Sequence, residues 1–400
     1  MKRSIVIVFS AFMGTFSYGQ WEVLESGVSN HLLGVHALSP SEIFVCGSSG
    51  IMLHSANEGV NWVVQTSNTS EDLYSVYFVN STLGFAVGND GVFLKTMDGG
   101  ENWVESSISD EHLRHVIFLN ENIGFIGANH GKILKTIDGG NLWTTIDLGI
   151  PLGIYDIVFS DLNHGCAIGF YGEICVTMDG GNTWQVTTDV SDYQMGVFCA
   201  LTPAITFVVG DNGVLMKSET DYSNWAPVQT QSSNFYSGID FLDPLTGYIV
   251  GGDIQSNTGY ILSSMDGGAT WTESLSGTPR LFRIDFTPYK TCGYIVGLNG
   301  TILGMCLENN EIEEVGERVY ELLVFPKPAS DYITVKQKES NPNSWISYTI
   351  YDSKGSEMLR GEISGKSELI IYINDLPSGD YIISVFEKNG RKTSTTFTKI

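Results

Sequence analysis

Charge is scarce in this sequence, and basic charge is scarcest. Only 16% of its 400 residues are Asp, Glu, Lys or Arg, and the formal net charge is −24. Between residues 21 and 310, 8 Lys/Arg stand against 31 Asp/Glu (−23), while 311–400 contribute −3 and 1–20 contribute +2. A nucleic-acid-binding surface needs a basic footprint, and the middle of this chain excludes one. The same imbalance disfavours an anionic membrane surface, and leaves cationic and neutral partners, glycans included, open. Chemical signatures are missing too. No His-x-x-x-His, paired Cys-x-x-Cys, Gly-x-Ser-x-Gly or EF-hand spacing occurs, so no metal or other cofactor is expected. His115 and His130 read as surface or turn residues. Past the N-terminus no stretch approaches 18 apolar residues, so no transmembrane segment is expected in the mature chain.

What is present points to β-structure. Hydrophobic residues make up 42% and aromatics 12%, too much for a disordered chain. Abundant Gly, Ser, Thr and Asn suit an all-β protein with many turns. Residues 1–19 read as a signal peptide: Lys2 and Arg3, the apolar run "SIVIVFSAFMGTF", then Ser17 and Gly19 before a cut ahead of Gln20. Export would carry the 6 cysteines into an oxidising compartment. Cys166 and Cys175 flank "GFYG" at 169–172. With Phe170 and Tyr171 as a two-residue hairpin loop, the two cysteines face each other, and a cross-strand disulfide is allowed, with buried thiols the alternative. Cys292 and Cys306 flank "GLNG" but fall one residue out of register on that scheme. Cys46 and Cys199 have no evident partner.

A repeat organises the first three-quarters of the chain. Trp21, Trp62, Trp103, Trp143, Trp184, Trp225 and Trp271 are spaced by 41, 41, 40, 41, 41 and 46 residues, the period of a propeller blade. Residues 73–107 show the unit: "LYSVYF", "LGFAVG", a turn, "VFLKT", the box "TMDGGENW", then "WVESS". The strands are rich in β-branched and aromatic residues, with Gly/Asn/Asp turns between them. Seven units begin near Leu32, Leu73, Leu113, Ile154, Met195, Tyr236 and Leu281. The seventh has three strands and no box. "WEVLES" at 21–26 looks like a fourth strand with nothing before it, so pairing it into the last blade closes a ring and removes two open edges. The 46-residue interval places about five extra residues in "GGDIQSNTG" at 251–259, within a blade's inner hairpin. Units one and five keep the tryptophan but lose the central Asp-Gly-Gly, as "SANEGVNW" and "SETDYSNW".

The boxes built on Asp98 and Trp103, Asp138 and Trp143, Asp179 and Trp184, and Asp266 and Trp271 resemble the Asp box. That motif is found in sialidases, xyloglucanases, sortilin-type receptors and a photosystem II assembly-factor family. Physically they read as turn locks. The carboxylate accepts N–H groups of its own turn, the glycines permit positive φ, and the tryptophan packs between blades with its indole N–H seeking a carbonyl. Whole units, such as "GFAVGNDGVFLKTMDGGENW", resemble the photosystem II assembly-factor propellers across 20–310. The resemblance implies the fold. A photosynthetic role is not carried over, because the basic patch expected of those members is absent. Arg114, Arg280 and Arg283 are the only arginines there.

An enzyme of sialidase-like or xyloglucanase-like type is the alternative to a binding module. "FRID" at 282–285 echoes the Phe/Tyr-Arg-Ile-Pro motif of sialidases, but lacks the proline and lies in the last blade. A glycosidase of another kind needs two carboxylates a fixed distance apart, which composition cannot single out. The inner-strand starts offer Tyr74, Arg114, His115, Tyr155, Asp156, Phe282 and Arg283 around a common funnel. Aromatics beside a few polar groups suit a glycan, peptide or protein ligand, while ordinary strand-end residues remain the alternative.

After an acidic linker at 311–321, residues 322–400 read as a small β-sandwich. "FPKPASD", "IYDSKG", "LPSGDYIISV" and the final "FTKI" resemble, in order, the type A C-terminal sorting domain of the type IX secretion system; Lys327 replaces the usual Asn. The resemblance implies the secretion machinery of the outer membrane as a partner. The expectation is a two-step exported protein, secreted or held at the cell surface. Its cargo is a seven-bladed propeller acting in binding or adhesion, with a purely structural surface protein as the third option.

Overall fold

One repeat becomes one sheet. Leu73–Phe78, Gly84–Gly88, Val92–Thr96 and Val104–Ser107 pair antiparallel in that order. The second strand is buried at every residue, so "GFAVG" reads as continuous apolar sequence, whereas the outer strand "VESS" is exposed at every residue. The computed structural model describes residues 21–187, most of 194–306 and most of 322–399, and the four-stranded sheet recurs seven times before residue 307. Its innermost strands are Leu32–Ala37, Leu73–Phe78, Leu113–Phe118, Ile154–Phe159, Gln194–Cys199, Phe235–Phe241 and Leu281–Phe286. Each touches the next, and the last touches the first. Within the unit Met1–Asn309 the described residues form a closed seven-bladed propeller. The N-terminal 20 residues, including the expected signal peptide, and the linker 311–321 lie outside the described residues.

Closure uses the orphan strand. Glu22–Glu25 pairs with Thr301–Cys306, Glu22 opposite Gly304 and Glu25 opposite Thr301. Trp21, just ahead of it, is buried edge-on against Tyr248 at 5.5 Å.

Neighbouring blades join through an aromatic ladder. The Phe near the end of an innermost strand stacks on a Phe of the preceding blade's second strand: Phe78 on Phe44, Phe118 on Phe85, Phe159 on Phe125, Phe241 on Phe207, at 3.5, 4.0, 4.5 and 5.0 Å. The box tryptophans Trp103, Trp143, Trp184 and Trp271 meet these rings edge-on at 5.7–6.0 Å, the favourable quadrupole geometry. This packing dictates the glycine that opens the second strand: a Cβ on Gly84 would stand 2.5 Å from the Phe78 ring. The lysine of the "KT" pair adds a polar clamp. Lys95 lies over Phe85 and donates to Gly139 O of the next blade's box at 2.8 Å; Lys135 repeats this with Phe125 and Gly180 O at 2.7 Å.

Two expectations are corrected. Cys166 pairs with Val176 and Cys175 with Ala167, so Cys166 and Cys175 occupy adjacent rungs, remain thiols and form no disulfide with each other. Cys292 instead lies opposite Cys306, and those two are bonded. The cause is the hairpin loop. Most blades turn through three residues with the middle one near φ +55, as at Asn299 between Gly297 and Thr301. At "GFYG" the Gly169 N–H bonds to Glu173 O across a three-residue loop. An odd loop shifts the register by one and exchanges which cysteine pair can meet. The indole expectation holds only in part. Trp225 and Trp271 donate to main-chain carbonyls and Trp103 to Gln65 Oε1, while Trp21, Trp62, Trp143 and Trp184 find no acceptor among the described residues.

The second unit, Asn310–Ile400, pairs a three-stranded sheet (Leu322–Phe325, Tyr332–Gln337, Glu368–Tyr372) with a four-stranded one built on Trp345–Asp352 and Gly379–Glu387. Ile333, Val335 and Ile371 from one sheet and Ile350, Ile383 and Val385 from the other share a core, making a small sandwich. Among the described residues no helix is long and apolar enough to cross a membrane.

Candidate functional site

The propeller has two chemically different faces. On one, each box bonds to the turn between first and second strands, as Gly99 N to Thr82 O and Gly139 N to Asn122 O. On the other, the hairpin between second and third strands bonds to the start of the innermost strand, as Asn89 N to Asp72 O and Leu298 N to Arg280 O.

The boxes are closed turns. Asp98 accepts from Thr96 Oγ1 at 2.8 Å and Asn102 N at 2.9 Å, and Thr96 Oγ1 in turn accepts from Gly100 N at 2.9 Å. The hydroxyl that opens the box is therefore half of the lock, a role the sequence reading gave to the aspartate alone. These bonds favour the ionised carboxylate. Bonds from Asn102, Leu142 and Thr183 pull Asp98, Asp138 and Asp179 down, the last to about 2; at Asp266 burial opposes the Thr270 bonds, which win. Asn57 takes the aspartate's place in the degenerate first box.

The opposite face gathers unusual side chains through a repeated backbone irregularity. Every innermost strand shifts register at its second or third residue: between Leu32 and Gly34, Leu73 and Ser75, Leu113 and His115, Ile154 and Asp156, Gln194 and Gly196, Tyr236 and Gly238, Leu281 and Arg283. A bulge re-aims the extra residue out of the alternating pleat. Of those extra residues Leu33, Tyr74, Arg114, Tyr155, Ser237 and Phe282 line one cavity of about 270 Å³, together with Phe235, Arg280 and Arg283. Met195, the seventh, has no described side chain. Arg114 and Tyr155 also border a neighbouring hollow with Phe170, whose ring stands 5.4 Å from Tyr155.

The arginines here are held by rings. Arg114 stacks over Tyr74 at 4.6 Å and Tyr155 at 5.5 Å, and its Nε donates to Asn129 Oδ1. Arg280 lies over Phe282 at 5.1 Å and Phe235 at 5.9 Å. Arg283 differs: it donates to Asp156 Oδ2 at 2.8 Å, and His115 Nδ1 stands 3.0 Å from the other oxygen. Burial opposes ionisation of Asp156, but the His115 and Arg283 charges prevail and hold it well below the usual carboxylate range.

Sequence candidates thus separate into two sets. Tyr74, Arg114, Tyr155 and Phe282 reach the aromatic cavity, and Arg283 borders it. His115 and Asp156 lie one residue further along, in the axial channel with His36, Asp240, Asp285 and, again, Arg283. His115 is axial rather than a surface or turn residue; His130, at φ 54, is a turn residue. The channel groups stitch inner strands together. Asp240 accepts from Phe286 N at 2.9 Å, Asp285 from Ala37 N at 2.7 Å and Ser75 from Val116 N at 3.2 Å. The sequence reading missed Leu33, Phe235, Ser237 and Arg280. Phe235 and Arg280 each sit two residues before a bulge, a spacing that would have found them.

The family model described as photosynthesis system II assembly factor YCF48 matches at residues 6–97, 64–153 and 140–232. The secretion system C-terminal sorting domain matches at 323–399. No curated protein matches. Among solved structures, YCF48 bound to D1 peptide aligns over 73% of this chain and 96% of its own, at TM-score 0.62 and 19% identity. YCF48 from Cyanidioschyzon merolae covers 72% and 99%, at 0.60 and 18%. The WD40 propeller domain of Doa1 covers 73% and 98%, at 0.59 and 11%. At these identities the likeness is one of fold.

Proposed function

The chain belongs to the photosynthesis system II assembly factor YCF48 family and ends in a secretion-system sorting domain, and from that premise we propose that it is an exported binding module. Residues 1–19 act as the signal peptide, 20–310 are the cargo, 311–321 the linker, and 322–400 engage the type IX machinery that delivers the protein to the cell surface or beyond. The ligand sits on the bulge-bearing face, in the cavity of Tyr74, Tyr155, Phe235 and Phe282.

One observation carries this reading: six successive or near-successive blades spend the same backbone irregularity on placing a side chain in one cavity. A peptide is favoured over a glycan because a YCF48 propeller is known with a peptide bound. Hydrolysis has less support, since Asp156, Asp240 and Asp285 are each engaged by main-chain donors or charged partners, whereas a glycosidase needs carboxylates poised on substrate. A peptide and glycan array on the secreted protein, with hydrolysis assayed in parallel, tests the proposal. Retention of array ligands without turnover supports it, and turnover of any of them replaces it with the enzyme reading.

A further inference from the structure

The blade that departs from the common length is the blade that seats Arg280. Its second and third strands, Gly247–Asp253 and Thr258–Ser264, each run seven residues, and its outer strand Thr272–Pro279 runs eight. This longer hairpin packs against the arginine: Arg280 N donates to Asn257 O at 3.0 Å, and a Cβ on Gly252 would stand 2.7 Å from Arg280 Cγ. The guanidinium then lies over Phe282 and Phe235, with Nε buried and without a hydrogen-bond partner among the described residues.

Among the described residues no carboxylate pairs with Arg280 or with Arg114, in a chain whose propeller carries nearly four acids per basic residue. Arg283, which borders the same cavity, does have its carboxylate, Asp156. Sequestering a cation among aromatic rings without a counter-charge costs free energy, and a guanidinium cannot escape by losing its proton. An anion entering the cavity would offset that cost. The surrounding negative charge repels anions in general, so entry requires local fit. The walls select further: Leu33, Tyr74, Tyr155, Phe235 and Phe282 are apolar surfaces, and the guanidinium fork matches a planar carboxylate.

We propose that Arg280, assisted by Arg114, is the anchor for a carboxylate attached to an aromatic or branched apolar group, in a peptide or in a small organic acid. This rests on the binding-face reading and adds the ligand's charge to it.

The test uses isothermal titration of the full mature chain with N-acetylphenylalanine and its amide, which differ only in the carboxylate. A third probe, N-acetyl-Phe-Glu amide, carries its carboxylate internally. The acid should bind at least about tenfold tighter than the amide, about 1.4 kcal/mol. Arg280→Gln should erase that preference, and Arg114→Gln should reduce it. Preference for N-acetylphenylalanine over the internal glutamate identifies a terminal or free acid as the source, and the reverse identifies an acidic side chain. Equal affinity for acid and amide, binding of neither, or a preference that survives both substitutions overturns the assignment. If array ligands still bind the cavity with no acid preference, only the arginine assignment falls. If nothing binds the cavity, the binding-face reading falls with it.

Discussion

Cys292 faces Cys306 across the two central strands of the closing blade, and a disulfide joins them. Cys306 is also the last residue of the strand that receives the N-terminal strand, so the bond reinforces the sheet on which ring closure depends.

Replacing both cysteines by serine should cost about 3 kcal/mol, the value expected for a short closed loop. Chemical unfolding of the mature protein with and without reductant measures it. Reductant should lower the stability of the wild type and leave the double variant unaffected. Cys46, Cys166 and Cys175 are buried, and burial pushes the Cys175 thiol up to about 12, so all three should resist alkylation until the chain unfolds. Reductant-insensitive stability of the wild type would contradict the assignment.

The boxes should fail in acid. Asp179 titrates near 2 in the folded protein, held there by Thr183 and Thr177, against an ordinary value of 3.8. A carboxyl depressed by folding contributes stability that is complete above its ordinary value and is lost as pH falls toward the folded one. Asp179→Asn should therefore lower the melting temperature at neutral pH and converge on the wild type between about pH 4 and pH 2. Parallel curves across that window would show that the carboxylate does not lock the turn.

Much of this architecture was legible because it repeats. The spacing of Trp62, Trp103 and Trp143 sets the blade, and the unpaired "WEVLES" sets the closure. Register was harder to read. The loop at "GFYG" and the loop at "GLNG" differ from a two-residue turn by one residue, and one residue exchanges Cys166 and Cys175 for Cys292 and Cys306. The site was half legible for a similar reason. Tyr74, Arg114, Tyr155 and Phe282 occupy aligned positions, but a bulge separates them from their neighbours His115 and Asp156, and alternation alone cannot reveal a bulge. Arg280 escaped that alignment because it lies two residues ahead of the bulge at Phe282, outside the aligned strand starts.

The sorting unit should depend on a buried amine. Lys399 donates to the main-chain oxygens of Asn374 and Leu376 and is 8% exposed. Lys399→Met leaves those carbonyls unpaired and should destabilise the unit by about 1.5–3 kcal/mol, read as faster proteolysis of the tail within the full chain. Deleting 322–400 should trap the propeller in the periplasm, with Lys399→Met partly retained there. Normal secretion of the deletion variant would refute the role given to the tail.

The central claim is that the bulge-bearing face, and not the box face, holds the ligand. The most direct measurement is the affinity of the best array ligand for wild type, Phe282→Ala, Tyr155→Ala and, on the box side, Ile137→Ser, whose side chain is 73% exposed. Truncating an aromatic anchor should weaken binding at least about tenfold, with Ile137→Ser binding as wild type. Undiminished binding in Phe282→Ala and Tyr155→Ala, with loss in Ile137→Ser, would contradict the account and move the site to the opposite face.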